Sequence, residues 1–204
     1  ETEIAGFQKE KYHVVELDCG TFRAAGRRFK SRTDAEKLRK SCLGKPAEIL
    51  SARRQEKAEK PPKLYDLTTL QREANRFFGY TAQQTLDYLQ FLYEKKLATY
   101  PRTDSRYLTE DMGEGLPGLC RTVAGAFPFG KSFSGETAAG QVIDNKKVSD
   151  HHAILPTGEV NSKSAEALPT GERNVLALVT ARLLCAVSPG NYGYEDTVVT
   201  LRCM

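Results

Sequence analysis

No apolar run in this 204-residue sequence approaches the ~18 residues that a membrane-spanning helix needs, and no charged-then-apolar leader opens it. These absences predict no membrane partner and a cytoplasmic location. CxxC pairs are missing as well. The five cysteines, Cys19, Cys42, Cys120, Cys185 and Cys203, are scattered and odd in number, which argues against a zinc site or a disulfide framework. They read as small core fillers. No internal repeat or low-complexity tract interrupts the chain. An initiator methionine is absent too: the sequence opens on Glu1-Thr2 and stops within the β-branched stretch 197–204, with no closing turn. It is therefore expected to be an excised piece of a longer protein.

What is present describes a soluble globular chain. Hydrophobic residues make up 40% and charged residues 27%, and the length suits one or two modest domains with a real core. The net charge of +4 suits an anionic partner without naming one.

Residues 12–17 and 20–25 predict two short strands turning at Asp18-Cys19-Gly20. A helix is expected over 33–43, with Glu36, Lys37, Arg39 and Lys40 outside, Leu38 and Cys42 inside, and Gly44 and Pro46 beyond its end. Residues 47–57 predict a third strand, which runs into Glu59-Lys60-Pro61-Pro62, a candidate boundary. From Thr68 the pattern turns helical. Thr68-x-x-Gln71 and Thr81-x-x-Gln84 both fit capping boxes, with Gly79 as a stop between them. In the second of these helices Leu86, Leu89 and Tyr93 share a face that Phe91 and Leu92 widen. Leu116, Leu119 and Val123 mark one short helix within the Gly-rich stretch 113–140, and 170–187 predicts a late helix closed by Ser188-Pro189-Gly190. Residues 192–204 return to strand. The expected fold class is α+β and mainly helical, with a strand-rich piece at 1–65, a helical domain at 66–190 and a returning strand at 191–204.

The chemistry concentrates in Ala98-Thr99-Tyr100-Pro101-Arg102-Thr103-Asp104-Ser105. Pro101 disfavours helical backbone at Tyr100, so the preceding helix must end and the tyrosine is extended. In extended chain, residues i and i+2 face the same way, which places Tyr100 beside Arg102. A free phenol titrates near 10 and is a poor nucleophile at neutral pH. A neighbouring guanidinium favours phenolate and stabilises the charge of a phosphoryl transition state. Thr103, Ser105 and Arg106 add donors suited to phosphate oxygens. Taken alone, the triplet reads first as a buried tyrosine with a surface arginine nearby.

A second cluster is Asp150-His151-His152-Ala153-Ile154-Leu155-Pro156-Thr157, which holds two of the three histidines. Adjacent residues rarely point at one ion, so a metal site is not expected here. A histidine that reaches a phosphate or gives a proton to a leaving oxygen fits better, with a capping or core histidine as the plainer alternative.

Three segments together carry a resemblance. Leu67-Thr68-Thr69-Leu70-Gln71-Arg72-Glu73-Ala74-Asn75, then the run from Leu92-Tyr93-Glu94 through Tyr100-Pro101-Arg102 to Ser105, then His151-His152-Ala153-Ile154-Leu155-Pro156-Thr157 resemble type IA DNA topoisomerases. The Tyr-Pro-Arg and His-His forms look closest to the topoisomerase III branch. The likeness is weak only in the Gly-rich stretch. It implies that Tyr100 attacks a phosphodiester of single-stranded DNA and keeps the 5′-phosphate, that a second strand passes, and that the 3′-hydroxyl reseals the gap without ATP. It further implies that Arg102 holds the scissile phosphate and that His151 is the functional histidine. His152 stands where other branches carry an acid and is a candidate DNA contact with Thr103, Ser105 and Arg106. Thr69, Gln71 and Glu73 are read as packing at a domain junction.

The resemblance also implies a toroidal parent, with the helical domain inserted in a strand-containing arch. Its acidic Toprim domain and Mg²⁺ ligands are expected outside this chain, with no metal bound by the fragment itself. The partners expected are single-stranded DNA and the parent's remaining domains, in a nucleoid setting if the host is prokaryotic. The fragment alone is expected to be inactive. The alternative function is a non-catalytic single-stranded DNA-binding module of the same fold. A tyrosine recombinase is disfavoured because no His-x-x-Arg box is present.

Overall fold

Alternating and helical patterning occupy different parts of the chain. The computed structural model describes Gly6 and residues 8–203. One unit comprises Glu1–Lys57 with Tyr194–Met204, and the other Ala58–Gly193. The opening Glu1-Thr2 pair and the last residue of the expected final strand, Met204, lie outside the described residues.

In the first unit, β1 (Glu16–Asp18) pairs antiparallel with β2 (Arg23–Ala25), Leu17 opposite Ala24. The strands are shorter than the sequence pattern suggested because the turn takes more residues. Cys19 N–H bonds to the Phe22 carbonyl at 3.0 Å, and Asp18 Oδ1 accepts from Gly20, whose φ of 82° suits glycine. Helix α1 (Arg32–Cys42) follows, with its charged residues exposed and Leu38 and Cys42 half-buried. Strands β3 (Ala47–Glu59) and β4 (Tyr192–Cys203) form a two-stranded ribbon. Exposed ion pairs join them, Lys57 to Asp196 at 2.6 Å and Arg54 to Glu195 at 3.7 Å, each worth under about 1 kcal/mol.

The second unit holds the main core. Helix α2 (Leu67–Phe78) is capped by Asp66, whose carboxylate accepts from Thr69 N–H at 2.6 Å. The expected Thr68–Gln71 box does not form, because Thr68 already lies inside the first turn. Gly79 (φ 72°) ends the helix as expected, and α3 (Ala82–Glu94) opens on the reciprocal Thr81–Gln84 box. Its inner face is Thr85, Leu89 and Leu92; Tyr93, assigned to that face by spacing, is 41% exposed. Helices α4 (Leu116–Ala124) and α5 (Ser162–Glu166) precede the long α6 (Thr170–Ala186). Val175, Leu176, Val179 and Leu183 of α6 are fully buried where it packs on α2, α3 and α4. Each such side chain contributes about 1.5–3 kcal/mol by leaving water.

One polar knot sits in this core. Glu73 of α2 accepts from Tyr65 Oη and from Arg182 of α6, while Arg182 also donates to the Lys63 carbonyl at 3.2 Å. The guanidinium carbon lies 4.2 Å from the Tyr65 ring centre. Burial, with the Glu73 carboxylate as acceptor, pushes the Tyr65 phenol far up. Burial alone would raise Glu73, but the bonds from Arg182 and Tyr65 outweigh it and hold the carboxyl below its ordinary range.

After α4 the backbone folds back so closely that a Cβ on buried Gly130 would overlap the Ala124 carbonyl. Gly130→Ala is therefore expected to cost about 2–3 kcal/mol, read as a lower midpoint in chemical denaturation. An unchanged midpoint would show that the turn relaxes freely.

Candidate active site

Tyr100 lies on the extended chain after α3, held from both sides by segments far away in sequence. Ahead of it, Ala98 bridges Pro156, and Thr99 N–H donates to the Leu155 carbonyl at 2.9 Å. The Thr99 hydroxyl accepts from Leu155 N–H at 2.9 Å and reaches the Ala153 carbonyl at 3.4 Å. Behind it, the Thr103 hydroxyl donates to the His151 carbonyl at 2.9 Å, and the Thr103 carbonyl takes the Leu67 N–H. These bonds place His151 against Tyr100: the ring centres are 4.1 Å apart with the planes inclined at 33°. Tyr93, on the flank of the α3 core face, meets Tyr100 edge-on at 5.7 Å.

Arg102 is exposed, and its Nη1 donates to Gln90 Oε1 at 3.1 Å. The Gln90 amide is oriented by its own bond to Glu94 at 2.9 Å. Gln90 and Tyr93 are three residues apart and so neighbours on α3. Tyr100 and Arg102 therefore rest on one stripe of that helix. Gln90 is not marked in the sequence, because an amide inside an apolar helix pattern carries no signal of its own.

The other expected donors each meet a backbone carbonyl. The Ser105 hydroxyl donates to the Lys147 carbonyl at 2.7 Å, and Arg106 Nε donates to the Leu64 carbonyl at 3.1 Å. His152 Nδ1 lies 2.7 Å from the Ala153 carbonyl. The exposed side of the loop instead presents Tyr107 with two lysines the sequence did not single out, Lys63 and Lys147, whose Nζ atoms lie 5.0 and 4.6 Å from its ring centre. Nothing in the sequence signals that trio, since its members come from three distant segments. Lys63 against the hydroxyl, helped by Lys147, holds the Tyr107 phenol below its ordinary value. Lys63→Gln is expected to move that phenol's titration upward in ultraviolet absorbance, with Tyr107→Phe identifying it. An unmoved titration would show that Lys63 leaves the hydroxyl untouched.

Among the described residues, no group of three or more His, Cys, Asp or Glu side chains converges as a metal site. Nor is any helix among them long and apolar enough to cross a membrane.

A model of the DNA topoisomerase family matches residues 1–204. The chain belongs to that family. The topoisomerase 3 of Shouchella clausii is 39% identical over 208 residues, covering 93% of this chain and 28% of the relative. That of Bacillus subtilis is 39% identical over 171 residues, covering 80% of this chain and 23% of the relative. The chain thus spans about a quarter of the length of these topoisomerases. A solved full-length topoisomerase I from Thermotoga maritima shares the fold, with a TM-score of 0.68 over 98% of this chain and 33% of that one, at 24% identity. The topoisomerase family is the one the three motifs implied, and the α+β class is the one the patterning predicted.

Proposed function

We propose that this chain is the tyrosine-bearing part of a type IA DNA topoisomerase and that Tyr100 is its covalent nucleophile. The observation that carries the reading is the 4.1 Å approach of the Tyr100 and His151 rings. It joins two motifs that chemistry had picked out separately. Tyr100 Oη attacks a phosphorus of single-stranded DNA, the bond from phosphorus to the 3′-oxygen breaks, and the 5′-phosphate stays on the tyrosine. The phenol gives up its proton to solvent as the bond from Tyr100 Oη to phosphorus forms, and the departing 3′-oxygen takes one, for which the exposed His151 is the donor at hand. Arg102, steadied by Gln90, holds a phosphate oxygen. Resealing is the reverse attack by the 3′-hydroxyl, so the phosphodiester energy is conserved and no ATP enters the chemistry. Passing a strand through the gap relaxes or decatenates DNA.

Magnesium and the Toprim domain belong to the rest of the parent in this reading. The residues around Tyr100 do not make a magnesium site, and no step is assigned to that ion. The experiment is to quench the full-length parent on a single-stranded oligonucleotide with denaturant and map the adduct by mass spectrometry. A 5′-phosphodeoxynucleotide on Tyr100 is expected, and an adduct on any other residue would sink the proposal.

A further inference from the structure

Lys63 and Lys147 are exposed side chains from separate segments, and nothing about free lysines would gather two of them at one phenol. Backbone anchors gather them. Arg106 grips the Leu64 carbonyl at 3.1 Å and Arg182 the Lys63 carbonyl at 3.2 Å, which fixes Lys63 alongside the Tyr107 segment. The Ser105 hydroxyl bonds the Lys147 carbonyl at 2.7 Å and accepts from Tyr107 N–H at 3.1 Å, so Lys147 and Tyr107 share one buried oxygen. Asp144 answers Lys147 at 2.5 Å, and the cluster keeps a net positive charge. Two ammonium groups and a phenol hydroxyl make a set of donors suited to phosphate oxygens. With cations over the ring, base stacking is not what the cluster offers.

We propose that Lys63, Tyr107 and Lys147 form a backbone-phosphate subsite for single-stranded DNA, gripping a nucleotide other than the one cleaved. It rests on the reading of Tyr100 given above. Ser105 and Arg106 then serve DNA binding from beneath, by holding the two lysines in place. The contact is sequence-independent and salt-sensitive.

The test is fluorescence anisotropy of the 204-residue chain with a labelled single-stranded oligodeoxynucleotide over a range of salt. Lys63→Gln/Lys147→Gln is expected to lose roughly tenfold in affinity at low salt and to flatten the log–log salt slope by about 0.7 per lysine. Each single variant should give about half of that change, so the test survives if the double variant folds poorly. Lys60→Gln/Lys146→Gln, two other exposed lysines of the same segments, should change affinity less than about threefold. Equal losses in the two pairs, or no binding by the native chain, would overturn the subsite. The adduct experiment separates the two ideas. No adduct on Tyr100 with the slope effect intact sinks the nucleophile and leaves the subsite; an adduct with an unmoved slope sinks the subsite alone.

Discussion

Tyr100→Phe in the full-length parent is expected to abolish the covalent protein–DNA adduct and to lower relaxation by about 10⁴-fold or more, the scale of losing a covalent nucleophile. The substitution removes one oxygen and keeps the ring that meets His151 at 4.1 Å and Tyr93 at 5.7 Å. The loop is held by backbone bonds at Thr99 and Thr103, which the substitution does not touch. A loss of activity with an unchanged denaturation midpoint therefore reports chemistry rather than misfolding. His151→Ala should behave differently. In the proposed mechanism it leaves the nucleophile in place and removes a proton donor, so cleavage is expected to slow by about 10²–10⁴-fold while an adduct still accumulates on Tyr100. Adduct formation at the native rate by Tyr100→Phe would end the assignment.

Arg182→Met is expected to destabilise the fold as much as Gly130→Ala does. Arg182 is 13% exposed and Glu73 28% exposed, so the carboxylate left behind is only partly reached by water. Removing one partner of a buried pair costs about 3–5 kcal/mol, and the partial exposure here puts the cost nearer 2–3 kcal/mol. The double variant Glu73→Gln/Arg182→Met strands no charge and should be less destabilised than Arg182→Met alone. Chemical denaturation at neutral pH measures both, and equal losses would show that the ion pair is not the source.

The pH dependence follows from the direction of the Glu73 shift. Its carboxyl is depressed in the folded chain because the bonds from Arg182 and Tyr65 outweigh the cost of burial. Its contribution is therefore fully present above the ordinary carboxylate range and is lost as pH falls through the depressed value. The knot matters to the site, since the same segment pairs Tyr65 with Ile154 and so supports the chain carrying His151.

Much of this was legible in the sequence where the signal was local. Thr81 with Gln84, Gly79 and the α6 stretch each declare themselves within a turn or two of chain, and the structure realises them. The structure departs from the sequence pattern where two local signals compete. Asp66 lies just ahead of the helix and wins the cap from Thr68, and Tyr93, at the edge of the apolar stripe, meets the Tyr100 ring instead of the core. The hydrogen-bond partners of Ser105 and Arg106 were not legible at all. Hydroxyl and guanidinium groups beside a candidate nucleophile suggest outward donors, yet both meet backbone carbonyls brought in from distant segments. Only the tertiary fold supplies those acceptors.

The anchoring of Tyr100 also has a mechanical meaning. A DNA end carried on that side chain would pull on the loop whenever the gap is opened. The load would pass at Thr99 into Ala153 and Leu155, and at Thr103 into His151 and Leu67. Force shared among several bonds on both flanks is resisted together, whereas a loop tied at one end would peel bond by bond. The histidine facing the tyrosine is held by the same tie, so under tension the two would move as one piece.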